Sequence, residues 1–206
     1  MRYTIMMILR SAPPSPFGRK VKIAAALLNL SEEITVVTTD TVDPNDPLRG
    51  DNPLGKIPTL VIEDGTVIYD SRVILDYLDM RAGGGRIIPK ENMQRINAQT
   101  LHALADGIMD ACILQVYEGR WRESAKHEQK WLDHQAGKVG RGLDYLENSP
   151  PALGSSLHVG HIAVACALGY LDLRFKAQWR AHYPKLVTWL DSFAAKVPAF
   201  EKTKVT

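Results

Sequence analysis

The chain has 206 residues, enough for one large domain or two small ones with a sizeable buried core. Its formal net charge is +2 and its lysines and arginines form no long block, which argues against a nucleic-acid-binding protein. The longest apolar run, residues 162–173, is shorter than the roughly 20 residues that a membrane-spanning helix needs. The apolar run at residues 5–9 is too short for a secretion signal. We therefore expect a cytoplasmic protein that binds neither nucleic acid nor membrane.

The first 81 residues alternate strand and helix signals in the order βαβ–ββα. Continuous or β-branched apolar runs predict strands, and apolar residues spaced three or four apart predict helices. The predicted strands cover residues 3–9, 34–39, 59–62 and 66–69, and the predicted helices cover residues 17–30 and 71–80. The polar segment 40–52 is expected to be a loop with room for one helical turn.

A break in the pattern then separates two expected domains. Gly83-Gly84-Gly85 and Pro89 interrupt the periodicity, so we place a linker at residues 82–90 between domains 1–81 and 91–206. The second domain is expected to be entirely helical, with helices at residues 92–117, 123–146, 159–175 and 184–196. The third of these is apolar nearly all round, which predicts the central buried helix.

The two cysteines, Cys112 and Cys166, lie in apolar helical patterns. Their spacing fits neither a CxxC pair nor a metal site. We expect both to be small buried hydrophobic side chains in a reducing compartment.

The segment NPLGKIPTL, residues 52–60, carries the most information about function together with Asp70-Ser71. A proline at the start of a strand, here Pro58, can hold a cis bond, which leaves the N–H and C=O of Ile57 available to an extended peptide. Asp70 and Ser71 open a helix, and helix N-termini attract carboxylates. A site that offers strand pairing, a carboxylate acceptor and an anion-binding helix end suits a small zwitterionic peptide.

With the further motif SPFGRKV at residues 15–21, the chain resembles a cytosolic glutathione S-transferase over essentially its whole length. In the second half, ADGIMDA at residues 105–111 and IAVACALGYL at residues 162–171 resemble the YibF-like bacterial subgroup. The resemblance implies an α/β thioredoxin-like first domain, an all-α helical bundle as second domain, and a homodimer. It also implies a detoxifying transferase that uses glutathione as co-substrate and needs no metal or organic cofactor.

The resemblance implies a catalytic hydroxyl at Ser15, just before the first helix. A hydroxyl donor and a helix N-terminus both favour a thiolate over a thiol, and the thiolate is the nucleophile. Ser15 can also be read as a simple helix cap ahead of Pro16, and Ser11 is the rival hydroxyl in the same turn. No cysteine occupies this turn, which argues against thiol–disulfide exchange through a protein sulfur.

The resemblance also implies how glutathione is held. Ile57 would pair with the peptide, Ser71 would take the γ-glutamyl carboxylate and Asp70 the amino group. Family members often carry Glu or Gln where this chain has Asp70, whose shorter side chain reaches less far. The full set of expected glutathione contacts is Phe17, Lys56, Ile57, Pro58, Asp70 and Ser71. Each has an ordinary alternative: a strand-initial proline, a helix cap or, for Lys56, a solvated loop lysine.

For the second substrate we expect a pocket in the helical domain lined by Met109, Tyr117 and Trp121, although ordinary helix surface explains these residues equally well. His102, Asp106 and Asp110 recur every four residues along one helix, and we expect the carboxylates to meet cations across a cleft or subunit contact rather than a metal.

His158 and His161 stand where family members often have a Ser/Thr-x-x-Asp capping box at the start of the central helix. The chain is therefore expected to lack that box, with Ser155 or Ser156 as the cap instead.

The reading favoured by these residues is a glutathione transferase that adds the glutathione sulfur to small apolar electrophiles. One alternative is a non-catalytic binding protein on the same fold, like the stringent-starvation proteins that contact RNA polymerase. Another is a glutathione-dependent peroxidase or reductase.

Overall fold

A four-stranded sheet lies at the centre of the first of two structural units. The computed structural model describes residues 6–205; residues 3–5 of the first predicted strand lie outside them. The first unit runs to Arg95 and includes the C-terminal segment from Val197, and the second unit is Ile96–Lys196. The strands are β1 (Met7–Ser11), β2 (Ile34–Thr38), β3 (Thr59–Val61) and β4 (Val67–Ile68).

Most helices begin and end near the residues that the sequence predicted, which confirms the helical patterns. In chain order they are α1 (Pro16–Leu27), α2 (Leu48–Asp51), α3 (Ser71–Arg81), α4 (Asn92–Trp121), α5 (Gln129–Asn148), α6 (Val159–Arg174), α7 (Pro184–Lys196) and α8 (Pro198–Lys202). The short helix α8 was not predicted. The start of α5 was predicted six residues too early: residues 124–126 form a separate 3-10 turn, and Glu128 caps α5 by accepting from Lys130 N–H at 3.1 Å.

The sheet has the order β2-β1-β3-β4 and confirms the βαβ–ββα arrangement. Strand β1 is parallel to β2, whereas β3 is antiparallel to both β1 and β4. Alternate residues of β1 are buried, and α1 packs against α3 in the same unit. Five fully buried side chains from these elements form part of the core: Met7, Leu9, Leu60, Ile74 and Leu78.

The C-terminal segment belongs to the first unit, whereas the expected helical domain extended to residue 206. Arg19 of α1 is buried, and its guanidinium donates to the Phe200 carbonyl at 2.6 Å and to Thr203 Oγ1 at 3.2 Å. The same guanidinium lies 4.0 Å from the centroid of the Phe200 ring. These contacts fix α8 on α1, a long-range pairing that no local sequence pattern reveals.

The predicted linker is held in place by one buried carboxylate. Asp79, near the end of α3, accepts hydrogen bonds from the backbone N–H groups of Gly85, Arg86 and Ile87 at 2.7, 2.9 and 2.8 Å. Residues 83–85 are glycines with positive φ, a conformation that other residues rarely adopt. The linker is therefore an ordered turn anchored to α3.

Helix α6 is the buried centre of the second unit, as its apolar sequence predicted. Nearly every residue from Val159 to Leu171 is buried, both Cys112 and Cys166 are buried as expected, and burial raises the pKa of the Cys112 thiol to about 12. A side chain at Gly160 would lie 2.9 Å from the Ala98 carbonyl oxygen, so this glycine allows α6 to approach α4 closely.

The expectation that the start of α6 lacks a capping box was wrong. His158 is the N-cap: its Nδ1 accepts from Gly160 N–H at 3.2 Å, and His161 Nδ1 accepts from His158 N–H at 3.1 Å. The two rings stack with centroids 3.7 Å apart, and the Trp189 ring of α7 lies 6.4 Å from His161. An unprotonated imidazole nitrogen is an acceptor, so two histidines can replace the usual hydroxyl and carboxylate.

Both acceptors require neutral rings. Burial lowers the pKa of His158, and burial together with the neighbouring His158 lowers the pKa of His161 to about 4. Unfolded histidine has a pKa near 6.5, so the unfolded chain binds more protons between about pH 6.5 and 4. Stability from the box is present above pH 6.5 and falls as the pH drops through this window, on the order of 3 kcal/mol for His161.

We therefore predict that acid weakens the protein through this box. The double variant His158→Ser/His161→Asn keeps a hydroxyl and an amide oxygen as acceptors but does not titrate, so its free energy of unfolding should depend less on pH between 6.5 and 4. Urea denaturation across this range measures the slopes. The exposed His134 provides the control variant His134→Gln, which should keep the wild-type slope. Equal slopes for the wild type and the double variant would contradict the assignment.

Candidate functional site

The sheet pairing brings the three predicted motifs of the first unit to one end of the sheet. Arg10, near the end of β1, pairs with Thr59 at the start of β3, so the loop before β3 lies beside the turn that follows β1. Ile68, at the end of β4, pairs with Leu60, which places the start of α3 at the same end. The starts of α1, β3 and α3 therefore lie together at the same end of the sheet.

The first candidate group is the Ser15 hydroxyl, at the N-cap of α1 ahead of Pro16. Ser15 Oγ accepts from Gly18 N–H at 3.1 Å, and the side chain is half-buried. Because that bond uses the oxygen as an acceptor, the hydroxyl proton remains available to donate elsewhere. The cap reading and the ligand reading of Ser15 are therefore compatible.

The rival hydroxyl, Ser11, has a different environment. Ser11 is 1% exposed, and its Oγ has no hydrogen-bond partner among residues 6–205. A Cβ atom at Gly18 would lie 2.0 Å from this oxygen, so Ser11 Oγ packs directly on the first turn of α1. Of the two hydroxyls, Ser15 is the more accessible.

The loop before β3 is organised by Asn52, the first residue of the NPLGKIPTL segment, to which the sequence analysis assigned no separate role. Asn52 is buried; its Nδ2 donates to the Lys56 carbonyl at 3.0 Å and to Thr59 Oγ1 at 3.1 Å, and its Oδ1 accepts from Leu54 N–H at 3.0 Å. These bonds close the loop around Gly55, which has a φ of 59°. A buried amide with bonds across seven residues is typical of a loop held in one conformation.

The Ile57–Pro58 peptide bond is cis, as the sequence allowed. Within residues 6–205, neither the N–H nor the C=O of Ile57 has a hydrogen-bond partner, and the residue is half-buried. Pro58 is buried behind it, whereas the Lys56 side chain is exposed. Ile57 thus offers one backbone donor and one acceptor at the edge of the site, as an extended peptide requires.

The start of α3 offers a second backbone site. Asp70 is the N-cap, exposed, and its Oδ1 accepts from Arg72 N–H at 2.9 Å; Ser71 follows as the first helical residue and is 2% exposed. Phe17 is half-buried in the first turn of α1, with Lys20 Nζ 5.3 Å from its ring centroid. Helix α3 therefore presents N-terminal N–H groups that suit an anion.

In the second unit the three residues predicted to line a substrate pocket differ in their exposure to solvent. Met109 is fully buried, whereas Tyr117 and Trp121 are 38% and 62% exposed, and the pocket that they were expected to line stays a prediction. Asp106 is also buried, and its Oδ2 lies 3.5 Å from His102 Nε2 on the same helix; the expected cationic partners of Asp106 and Asp110 stay a prediction.

Across residues 6–205, no three His, Cys, Asp or Glu side chains are grouped in a way that could hold a metal ion. No helix there is both long and apolar enough to cross a membrane.

A mixed four-stranded sheet followed by a helical unit, with a cis-proline loop and two helix N-termini at one sheet edge, defines the class to which this chain belongs. Residues 14–81 match the family model of the glutathione S-transferase N-terminal domain, and residues 129–192 match that of the C-terminal domain. The GST-like protein YibF of Escherichia coli K12 is 34% identical over 194 residues, covering 89% of this chain and 95% of YibF. The chain belongs to the glutathione S-transferase family.

Solved structures agree with this assignment. A glutathione transferase family member from Pseudomonas fluorescens Pf-5, with bound glutathione, is 40% identical with a TM-score of 0.90, covering 97% of this chain and 99% of that one. A glutathione S-transferase from Methylobacillus flagellatus KT, also with glutathione bound, is 35% identical with a TM-score of 0.89, covering 97% and 100%.

The packing of Ser11 on Gly18 yields a stability prediction. Gly18→Ala should lower the free energy of unfolding by about 1–3 kcal/mol, because the new methyl group overlaps Ser11 Oγ. Ser11→Ala alone should be neutral or stabilising, because it removes a buried hydroxyl without a partner. The double variant should recover most of the loss, since the nearest remaining atom, Ser11 Cβ, is 3.2 Å away. Urea denaturation of the four proteins measures this coupling, and additive effects would contradict it.

Proposed function

We propose that this protein is an enzyme, a glutathione transferase that activates the glutathione thiol for attack on small electrophiles. The observation that carries the proposal is the Ser15 hydroxyl, which is already bonded as an acceptor at the start of α1 and has a proton left to donate. The family assignment and the glutathione bound in the two solved relatives support it.

In this mechanism glutathione lies extended along the edge of the sheet. Ile57 pairs with its backbone, and the start of α3 takes the γ-glutamyl end, with Ser71 at the carboxylate and Asp70 at the amino group. Phe17 and Lys56 flank the tripeptide, and Pro58 fixes the pairing edge. These contacts position the glutathione sulfur beside Ser15, so proximity is the first contribution to catalysis.

Stabilisation of the thiolate is the second contribution. A free thiol has a pKa near ~8.5, and lowering it by two units requires roughly 2.7 kcal/mol. One hydrogen bond from a hydroxyl to a charged sulfur supplies about 1.5–3 kcal/mol. The first turn of α1 contains no acidic side chain, so nothing in it opposes the favourable end of the helix dipole.

Ser15→Ala should therefore reduce turnover at least tenfold, a loss of about 1.4 kcal/mol in transition-state stabilisation, while glutathione still binds. The apparent pKa of bound glutathione, followed by thiolate absorbance, should rise. Because the substitution also removes a helix cap, Ser15→Asp is the matched control: it restores the cap but has no proton to donate, so it should regain stability and not activity.

Ser11→Ala is the second control and should keep full activity, since its hydroxyl is buried against the first turn of α1. Full activity in Ser15→Ala with loss in Ser11→Ala would reverse the assignment. Glutathione binding without turnover on a panel of electrophiles would instead favour the non-catalytic alternative, and activity confined to peroxides or disulfides would favour the peroxidase or reductase alternative.

Asp70 and Ser71 should affect binding more than chemistry. They hold the end of glutathione that is far from the sulfur, so their contribution is similar in the ground and transition states and appears in KM rather than kcat. Asp70→Ala or Ser71→Ala should raise KM for glutathione roughly tenfold or more, since a charge-assisted hydrogen bond is worth about 1.5–3 kcal/mol. Steady-state kinetics over a glutathione series provide the measurement. A collapsed kcat with unchanged KM would require a different binding pose.

We also propose a homodimer and a cytoplasmic location, as the family resemblance implies. The first unit carries exposed apolar side chains at Val73 and Met80 of α3 and at Met93 at the start of α4, with exposed fractions of 52%, 66% and 61%. Val73 and Met80 are seven residues apart and therefore lie on one face of α3, and a contiguous exposed apolar surface is typical of an interaction site.

A further inference from the structure

The first unit contains a cavity of about 420 Å³ on the face of the sheet that carries α1. Its walls come from the end of β1 and the turn after it, from β2, from α1, and from the C-terminal residues 202–205, all of which belong to this unit. The lining residues all lie within residues 6–205, and none of them belongs to the set expected to hold glutathione. The cavity is therefore a separate candidate site.

The parallel register of β1 and β2 forms the floor of this cavity. Ser11 pairs with Thr38 and Leu9 with Val36, and paired residues of parallel strands point to the same face of a sheet. Helix α1 covers the β1 part of this face, where Gly18 packs on Ser11. Strand β2 lies at one edge of the sheet, and its Val36 remains 48% exposed. The face of β2 is therefore left open beside α1.

The C-terminal segment forms the outer wall of the cavity. Thr203 Oγ1 accepts from Arg19 Nε at 3.2 Å and donates to the Ala199 carbonyl at 2.8 Å, so this hydroxyl is already bonded within the wall. These bonds hold the end of α8 against α1. They place Lys202 and Lys204, on either side of Thr203, along the cavity.

The lining of the cavity is positively charged. Lys22 of α1 is half-buried and lines it together with Lys202 and Lys204, and no acidic side chain of residues 6–205 is part of the lining. Lys204 Nζ lies 3.8 Å from Glu201 Oε2, but both side chains are 57% exposed, so water screens this pair. Several amines around a small cavity without a carboxylate favour an anionic ligand.

Ser11 places a hydroxyl at the floor of the cavity. Its residue is buried, whereas the other lining residues are half-buried or exposed. Ser11 is 1% exposed, and within residues 6–205 its Oγ has no hydrogen-bond partner. Buried hydroxyls in proteins are nearly always hydrogen-bonded, because leaving one without a partner is unfavourable. This hydroxyl is the one polar group of the cavity that the fold itself leaves incomplete.

We propose that the cavity binds the phosphate group of a small phosphate ester. A phosphate monoester carries roughly two negative charges at pH 7, and lysine amines bind phosphate as point charges. Carboxylates are better matched by the planar fork of arginine, and no arginine of residues 6–205 lines the cavity. Ser11 donates its proton to a phosphate oxygen, and Lys22, Lys202 and Lys204 neutralise the charge.

The size and the remaining walls of the cavity favour an ester over free phosphate. Pockets for small organic ligands measure about 300–1,000 Å³, and this cavity falls in that range. Pro13, Val36 and Val205 add apolar surface on which an organic group can pack. Because this site shares no residue with the expected glutathione contacts, the inference does not rest on the glutathione transferase function proposed above.

Phenyl phosphate is the probe for this site, with benzoate and inorganic phosphate as comparisons. In calorimetric titration of the full chain, wild type should bind phenyl phosphate about tenfold or more tightly than benzoate, which carries one charge on the same ring. It should also bind phenyl phosphate more tightly than inorganic phosphate, which lacks the ring. Saturating glutathione at matched ionic strength should leave the affinity unchanged. Equal affinities for the three anions, or displacement by glutathione, would overturn the inference.

Variants locate the bound probe. Lys22→Gln and Lys202→Gln should each weaken phenyl phosphate binding about tenfold, the effect of losing one charge-assisted contact. The exposed Lys130 of the second unit gives the control variant Lys130→Gln, which makes the same charge change and should keep the wild-type affinity. Ser11→Ala should weaken binding about threefold or more.

Ser11→Ala also separates a loss of contact from a loss of structure. Removing a buried hydroxyl without a partner should leave the protein at least as stable as wild type, so weaker binding by this variant reports the lost hydrogen bond. Urea denaturation of each variant provides the stability. Wild-type affinity in Ser11→Ala or in the folded double variant Lys22→Gln/Lys202→Gln, or no binding of phenyl phosphate by wild type, would overturn the inference.

Discussion

The antiparallel pairing of β3 with β1 is the constraint on which the candidate site depends. It sets Thr59 opposite Arg10, and this register fixes the loop of Ile57 and Pro58 next to the turn that leads into α1. An ion pair between Arg10 and Asp51 fastens α2 to the same strand end, directly ahead of that loop. A shift of one residue would turn every side chain of β3 to the opposite face, so the core and the site specify the same register.

Side chains in the first unit are used mainly to arrange backbone groups. Asn52 closes the loop before β3, Asp70 caps α3, and Ser15 caps α1. The groups left for a ligand are the backbone of Ile57, the N–H groups at the start of α3 and the Ser15 proton. Rigid backbone donors require little reordering on binding, which favours affinity for a flexible tripeptide. Such a site depends more on loop geometry than on the identity of any single exposed side chain.

The sequence predicted the elements and the motifs well because both rest on local patterns. Apolar periodicity located the long helices, and the X-Pro bond and the Asp-Ser helix start indicated the candidate site, which stays a prediction. Local sequence patterns did not predict contacts between residues that are distant in the sequence. The pairing of Arg19 with Phe200, the three bonds to Asp79 and the buried bonds of Asn52 all depend on the assembled fold. Histidine as an N-cap is uncommon, so the box at His158 was missed even though its spacing of three residues was visible.

Helix α6 concentrates the polar chemistry of the second unit at its two ends. Its middle is buried and apolar, so it offers no group for recognition. Its start is closed by two neutral imidazoles, which complete their hydrogen bonds within the cap. At its end, the Arg174 guanidinium lies 5.9 Å from the centroid of the Tyr170 ring, and its Nε–H group is buried without an acceptor. Because its middle is closely packed and its start is fully hydrogen-bonded, α6 acts as the rigid structural core of the second unit.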